Sequence, residues 1–192
     1  MKKNKKNPNR IPLARRSVNI RQSTGEIAED IVFLAWLEIL GALADFPEMS
    51  RERIWALWMG INKTARKAHV DTEVEKWIRD VEEISGVCLP YKKLSSAAIS
   101  TQGELDRYMR RVKQNALSSA YGIIAHPVLE EEMLSQEDAG RLFQKAYGLD
   151  QELKDRRIRP SDILSVLEEE LGLSLEITET GVKLVRIRKE EG

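Results

Sequence analysis

Apolar positions recur along most of the chain at intervals of three and four, the spacing that gathers side chains on one side of an α-helix. Ser23 with Glu26 forms a capping box, so a first helix is expected from Ser23 to about Phe46, stopped by Pro47. Ile27, Ile31, Leu34 and Ala42 take one side of it, and Val32, Phe33, Trp36, Ile39, Leu40 and Leu43 cover the others. A helix apolar all round is either central in a core or shared with another chain. The run is interrupted by Glu38, carries Gly41 and is too short to span a bilayer. Ser50 caps a second helix whose stripe is Ile54, Leu57, Trp58, Ile61, Ala65 and Ala68. Asp71 or Thr72 opens a third, with a Thr72/Glu75 box, the stripe Val74, Trp77, Ile78, Val81 and Ile84, and Gly86 as a left-handed stop.

Over residues 87–100 the periodicity fails, and residues 87–89 supply at most a short strand. A fourth helix follows from Thr101, boxed by Glu104, with Leu105, Tyr108, Met109, Val112, Ala116 and Ala120 inward and its end near His126 and Pro127. A short helix over 127–134 and another from Ser135 to Gly148, with Leu142, Phe143 and Ala146 inward, come next. Pro160 and Ser161 then begin a helix with Ile163, Val166, Leu167 and Leu171 inward and Gly172 as its stop. Beyond it, Leu173, Leu175 and Ile177 alternate with polar residues, Thr180 and Gly181 make a turn, and 182–188 alternates again: a β-hairpin. A lone hairpin is marginal in water, so it must pack on the preceding helix or pair with a third strand, for which 87–89 is the candidate. The expected fold is mainly α: a helical bundle over 23–126, and a smaller helical segment over 127–192 that ends in a hairpin.

Charge changes this picture at one end. The 192 residues hold 31 Lys and Arg against 31 Asp and Glu. Residues 1–22, however, carry Lys2, Lys3, Lys5, Lys6, Arg10, Arg15, Arg16 and Arg21 with no acid, which leaves an acidic body. Interrupted by Pro8 and Pro12 and poor in large apolar groups, this tail is expected to be disordered until it meets an anionic partner, or to fold back on the acidic body. With one cysteine, Cys88, and no secretory apolar core after the basic opening, the expected setting is the cytoplasm, away from membranes.

The motifs of catalysis are missing: no Walker A loop, dinucleotide glycine pattern, HExxH or GxSxG occurs. His69 near Asp71 and Glu73, and His126 four residues before Glu130, read better as helix-end histidines beside solvated acids than as metal ligands. Cys88 between Val87 and Leu89 reads as a buried structural thiol, and Trp36, Trp55, Trp58 and Trp77 read as core, with Trp55 at the edge of its stripe. No enzyme, metal or cofactor is therefore expected.

Two binding functions remain. The first is protein–protein interaction, through a homo-oligomer or a partner. It is motivated by the all-round apolar first helix and by a last strand with Val182, Leu184, Arg186 and Arg188 on one face and Lys183, Val185 and Ile187 on the other. Val185 and Ile187 are the candidate interface. The second is nucleic-acid association without sequence reading, through the tail and through Arg107, Arg110 and Arg111, which with Gln114 share the face of the fourth helix opposite Leu105, Met109 and Val112. The helix-then-hairpin order is also that of a winged helix, but Glu168, Glu169 and Glu170 on the would-be recognition helix would repel DNA.

Arg-Ile-Pro-Leu-Ala-Arg-Arg at 10–16, Gly-Ala-Leu-Ala-Asp-Phe-Pro at 41–47 and Arg-Leu-Phe-Gln-Lys-Ala-Tyr at 141–147 give the chain a resemblance to small uncharacterised prophage proteins of Gram-positive bacteria. The resemblance implies a setting and no site residue: an accessory protein that binds, and in some cases inhibits, a host or phage macromolecular complex.

Overall fold

The computed structural model describes residues 30–46, 49–65, 71–92, 94, 101–130, 134–178 and 181–187. The Ser23/Glu26 box, His69 and all eight basic residues of 1–22 lie outside the described residues. Helix accounts for 75% of what is described. The order is α1 (30–44), α2 (Arg51–Ala65), α3 (Asp71–Ser85), α4 (Gln102–Glu130), α5 (Gln136–Lys154) and α6 (Pro160–Val166). A π-helical turn (Leu167–Leu171) and strands β1 (Leu173–Thr178) and β2 (Gly181–Arg186) follow. The chain is therefore mainly α with a C-terminal hairpin.

Local chemistry sets most of the helix starts. The Arg53 backbone N–H donates to Ser50 Oγ at 3.3 Å, and that of Asp138 to Ser135 Oγ at 3.1 Å. Thr101 and Glu104 cap reciprocally: Thr101 N–H donates to Glu104 Oε2 at 2.8 Å and Glu104 N–H to Thr101 Oγ1 at 3.3 Å. Gly86 (φ 69°) and Gly172 (φ 61°) adopt the left-handed conformation that ends a helix.

Two expected stops are overridden. α4 runs through Pro127 to Glu130, so residues 127–130, expected to begin a separate helix, continue α4, and α5 runs through Gly148 to Lys154. Pro127 removes one N–H from the ladder, but Pro127 and Val128 are buried and their packing holds the turn. Gly148 is exposed with open space around it, and the apolar Leu149 and Leu153 beyond it pack on the core.

α1 is the central helix. Ala35, Leu37, Ile39, Ala42 and Leu43 are fully buried, and α1 reaches four other elements. The Trp36 and Trp58 rings lie 4.2 Å apart against α2, and Glu38 meets Tyr121 of α4. A Cβ on Gly41 would stand 2.6 Å from Ile163 of α6 and 3.3 Å from Leu149 of α5. Residues 35–40 of α1 are thus buried within the chain, while Ile31, Val32, Phe33 and Leu34 are half-buried.

α3 packs on α4 and α5. The Trp77 ring stacks on His126 at 4.4 Å, a Cβ on Gly122 would meet Ile78 at 3.1 Å, and one on Gly140 would collide with the Ile84 carbonyl oxygen. At 29 residues against 15 for α2 and α3, α4 outruns both. Leu105, Tyr108 and Met109, expected inward, are accordingly only half-buried and outside the core cluster, which takes in α4 from Leu117 onward.

Residues 87–89 form no strand, and among the described residues the sheet has two strands. The polar groups of this segment are met by side chains instead. Leu89 N–H donates to Glu82 Oε1 at 2.7 Å, Lys92 exchanges hydrogen bonds with Asn115 at 3.1 and 2.6 Å, and the Pro90 carbonyl accepts from Ser118 Oγ at 3.1 Å. Val87 and Leu89 point inward with Cys88 between them facing out, so the buried thiol expected from its apolar neighbours is an exposed one.

In the hairpin Leu175 faces Leu184 and Thr178 faces Gly181, which places Gly181 in the strand and not in the turn. Leu173, Leu175 and Leu184 are buried with Leu167 of the π turn, and the Arg186 guanidinium lies 4.6 Å from the centre of the half-buried Trp55 ring on α2. Val166, expected inward, is exposed, because this short surface helix buries only the stripe of Ile163 and Leu167. Among the described residues no helix is long and apolar enough to cross a membrane.

Candidate functional site

Glu38 interrupts the most apolar stretch of the sequence, and since residues 35–40 of α1 are buried its carboxyl is carried inside with them, at 1% exposure. Tyr121, fully buried on α4, donates its hydroxyl to Glu38 Oε2 at 2.9 Å. Oε1 has no partner among the described residues. α5 brings a second buried acid, Asp150, whose Oδ2 accepts from Lys154 one turn on and from Gln151 Nε2 at 2.9 Å. Burial, with the Asp150 charge adding to it, pushes the Glu38 carboxyl up to about 8, against smaller opposing effects from Tyr121 and Lys154. Glu38 is thus a neutral acid at neutral pH. Burial and the neighbouring Glu38 likewise push the Tyr121 phenol above its ordinary range, so it remains a hydrogen-bond donor.

Glu38 and Asp150 of this cluster line a cavity of about 360 Å³ between α1, α4, α5 and the start of α6. Ile31, Leu34, Leu117, Leu153 and Pro160 make its walls, and Lys113, Gln114 and Lys154 bring polar groups to it. An apolar cavity of this size with a few converging polar groups and a perturbed acid is the usual form of a small-molecule site.

The cationic residues expected on α4 lie beside it. Arg107, Arg110 and Arg111 are exposed, and Gln114, which shares their face at helical spacing, lines the cavity. Arg107 Nε donates to its own helix at the Gly103 carbonyl, 3.2 Å away. From the other side Lys154 leads into the exposed Arg156, Arg157 and Arg159, which run up to Pro160. Arg157 pairs with Asp155 and Arg159 with Asp162, each at 3.1 Å.

The candidate interface residues stand elsewhere. Val185 and Ile187 are half-buried, on the face of β2 turned away from Leu184, and neither belongs to the core packing. Hence the arginines and the hairpin residues do not form one site. His126, stacked on Trp77, has Nδ1 3.9 Å from Glu130. Among the described residues no three His, Cys, Asp or Glu side chains gather to hold a metal ion. The Glu38, Tyr121 and Asp150 cluster escaped sequence reasoning, although a lone acid inside an all-round apolar helix was a signal for its first member.

No family model, curated protein or solved structure matches the chain.

Proposed function

We propose that the chain is a non-catalytic accessory protein, acting in the cytoplasm in a prophage-like setting, that associates with nucleic acid through phosphate contacts. The observation that carries this reading is the exposed face of α4 formed by Arg107, Arg110 and Arg111, which continues to Gln114 at the cavity that Lys113 and Lys154 also line. Side chains of this kind neutralise phosphates without reading bases. The basic residues of 1–22 would add to the same attraction.

Replacing Arg107, Arg110 and Arg111 together with Ala should weaken binding to all sequences alike and reduce the log–log salt slope by about 3. Deleting residues 1–22 should reduce it further. Absence of binding to DNA and RNA at low salt would end the reading.

A second reading, binding of a protein partner or a second copy through the hairpin, has one observation in its favour: Val185 and Ile187 lie on the strand face that packs on nothing in the core. Replacing both with Lys should then abolish partner binding while leaving the helical spectrum intact.

A further inference from the structure

The cavity beside the arginine strip joins three chemistries: aliphatic walls, a buried carboxyl whose Oε1 is unpartnered among the described residues, and lysines at its edge. We propose that this cavity binds one nucleotide unit, its base between the aliphatic walls with an edge on the Glu38 carboxyl and its phosphate on Lys113 and Lys154. The proposal extends the nucleic-acid reading to a specific site, and a free mononucleotide and a single-stranded chain present the same unit.

The walls and the carboxyl select the ligand between them. Ile31 and Leu34 of α1, Leu117 of α4 and Leu153 of α5 offer apolar surface to flat faces, as apolar pockets do for a base taken out of a stack. With Tyr121 donating to Oε2, Oε1 is the oxygen left to carry the proton of the neutral acid. Glu38 then presents an O–H donor, with a remaining lone pair on Oε2 as acceptor, and base edges carry an acceptor beside a donor. An alkyl chain in the same place would leave that O–H without a partner, at the cost of a buried unsatisfied group. An organic cation would meet Lys113 and Lys154, whereas a phosphate is attracted by them. The approximate cavity volume of 360 Å³ falls within the range usual for ligand pockets.

Proton coupling follows. The groups that bear on Glu38 are Asp150 and Lys154 from α5 and the Tyr121 hydroxyl from α4, with Tyr147 of α5 acting on Tyr121 and Lys113 of α4 at the cavity edge. Ionisation of Glu38 removes the donor and places a negative charge near the phosphate, so affinity should fall as pH rises.

The test is calorimetric titration of the full chain with AMP and CMP, whose bases do not titrate between neutral and mildly alkaline pH, and with ribose 5-phosphate, a single-stranded oligonucleotide and a duplex. Expected are binding of AMP or CMP and no binding of ribose 5-phosphate. Affinity should drop roughly tenfold per pH unit once Glu38 ionises; Glu38→Gln, which cannot ionise, should bind without that dependence. Leu117→Trp, which fills the cavity, should abolish mononucleotide binding and lower single-strand affinity while leaving the duplex unaffected. Methyl NMR of the unmodified chain guards against a misfolded variant: AMP should shift the signals of Ile31, Leu34, Leu117 and Leu153. Mononucleotide binding without oligonucleotide binding would keep the cavity assignment and overturn the nucleic-acid reading. Oligonucleotide binding with no mononucleotide binding and no shift of those methyls would do the reverse. Ribose 5-phosphate binding as well as AMP would overturn the base assignment.

Discussion

Two of the recesses among the described residues treat carboxylates in opposite ways. The larger, about 950 Å³ between α3, the end of α4 and the start of α5, is lined by Asp80, Glu83 and Glu137 along with Ile84, Leu129 and Leu134. Glu83 and Glu137 are exposed, and Glu137 pairs with Arg141 on its own helix. The smaller recess has Glu38 and Asp150, both buried, with cationic side chains around them. The difference teaches that neither volume nor the number of acids marks a site. A carboxylate in water keeps its solvation, whereas one carried into a core must find a partner or a proton, and only the second is poised to answer a ligand.

The comparison is tested most severely by pH. The Glu38 carboxyl is raised from 4.5 to about 8 in the folded chain, so between those values the folded state retains a proton that the unfolded state has released. Stability therefore falls as pH rises through this window and levels off above it. The shift corresponds to a loss on the order of 5 kcal/mol. Glu38→Gln should lack this loss and become the more stable form at pH above about 8. Urea unfolding across the range reads this, and parallel curves for Glu38→Gln and the unmodified chain would erase the distinction between the two recesses.

The next effect contrasts two glycines of α5. Gly140 lies against the Ile84 carbonyl beside the acidic recess, and Gly140→Ala should cost about 1–3 kcal/mol because backbone must move. Gly148, exposed with open space around it, lies further along the same helix, and Gly148→Ala should stabilise by up to about 1 kcal/mol through helix propensity. Melting temperatures shifting in the same direction would contradict this packing. Tyr121→Phe removes the hydroxyl on Glu38 and should cost about 1–2 kcal/mol. It should also raise the Glu38 pKa further, moving the pH-dependent loss upward. The smallest expected change is in Val185→Lys with Ile187→Lys, within about 0.5 kcal/mol by denaturant unfolding, since neither side chain packs in the core. A large loss would make the outer hairpin face part of the fold.

Local signals were legible wherever a few neighbouring residues decide the outcome. Ser50, Ser135 and the Thr101/Glu104 pair cap helices because their oxygens meet N–H groups within one turn. Gly86 and Gly172 end helices because they tolerate positive φ, and the alternation of Leu173 and Leu175 marked the buried face of a hairpin, although Ile177, the third of that series, is exposed near the turn. The exposure of Arg107, Arg110 and Arg111 followed from their common helical face.

Tertiary structure decided the rest, by adding free energies that local pattern does not contain. Burial of Val128 and packing of Leu149 carried α4 and α5 past Pro127 and Gly148. Side chains of α3 and α4 took the polar groups around residues 89–92 that a strand would have used, and the alternation there turned Cys88 outward. The candidate site belongs wholly to this second class. Glu38, Tyr121 and Asp150 are far apart in the chain, and only the burial of residues 35–40 of α1 against its neighbours brings them together. Sequence alone determined that an acid stood within an apolar helix; whether it would face water, pair or keep its proton depended on what the fold placed against it.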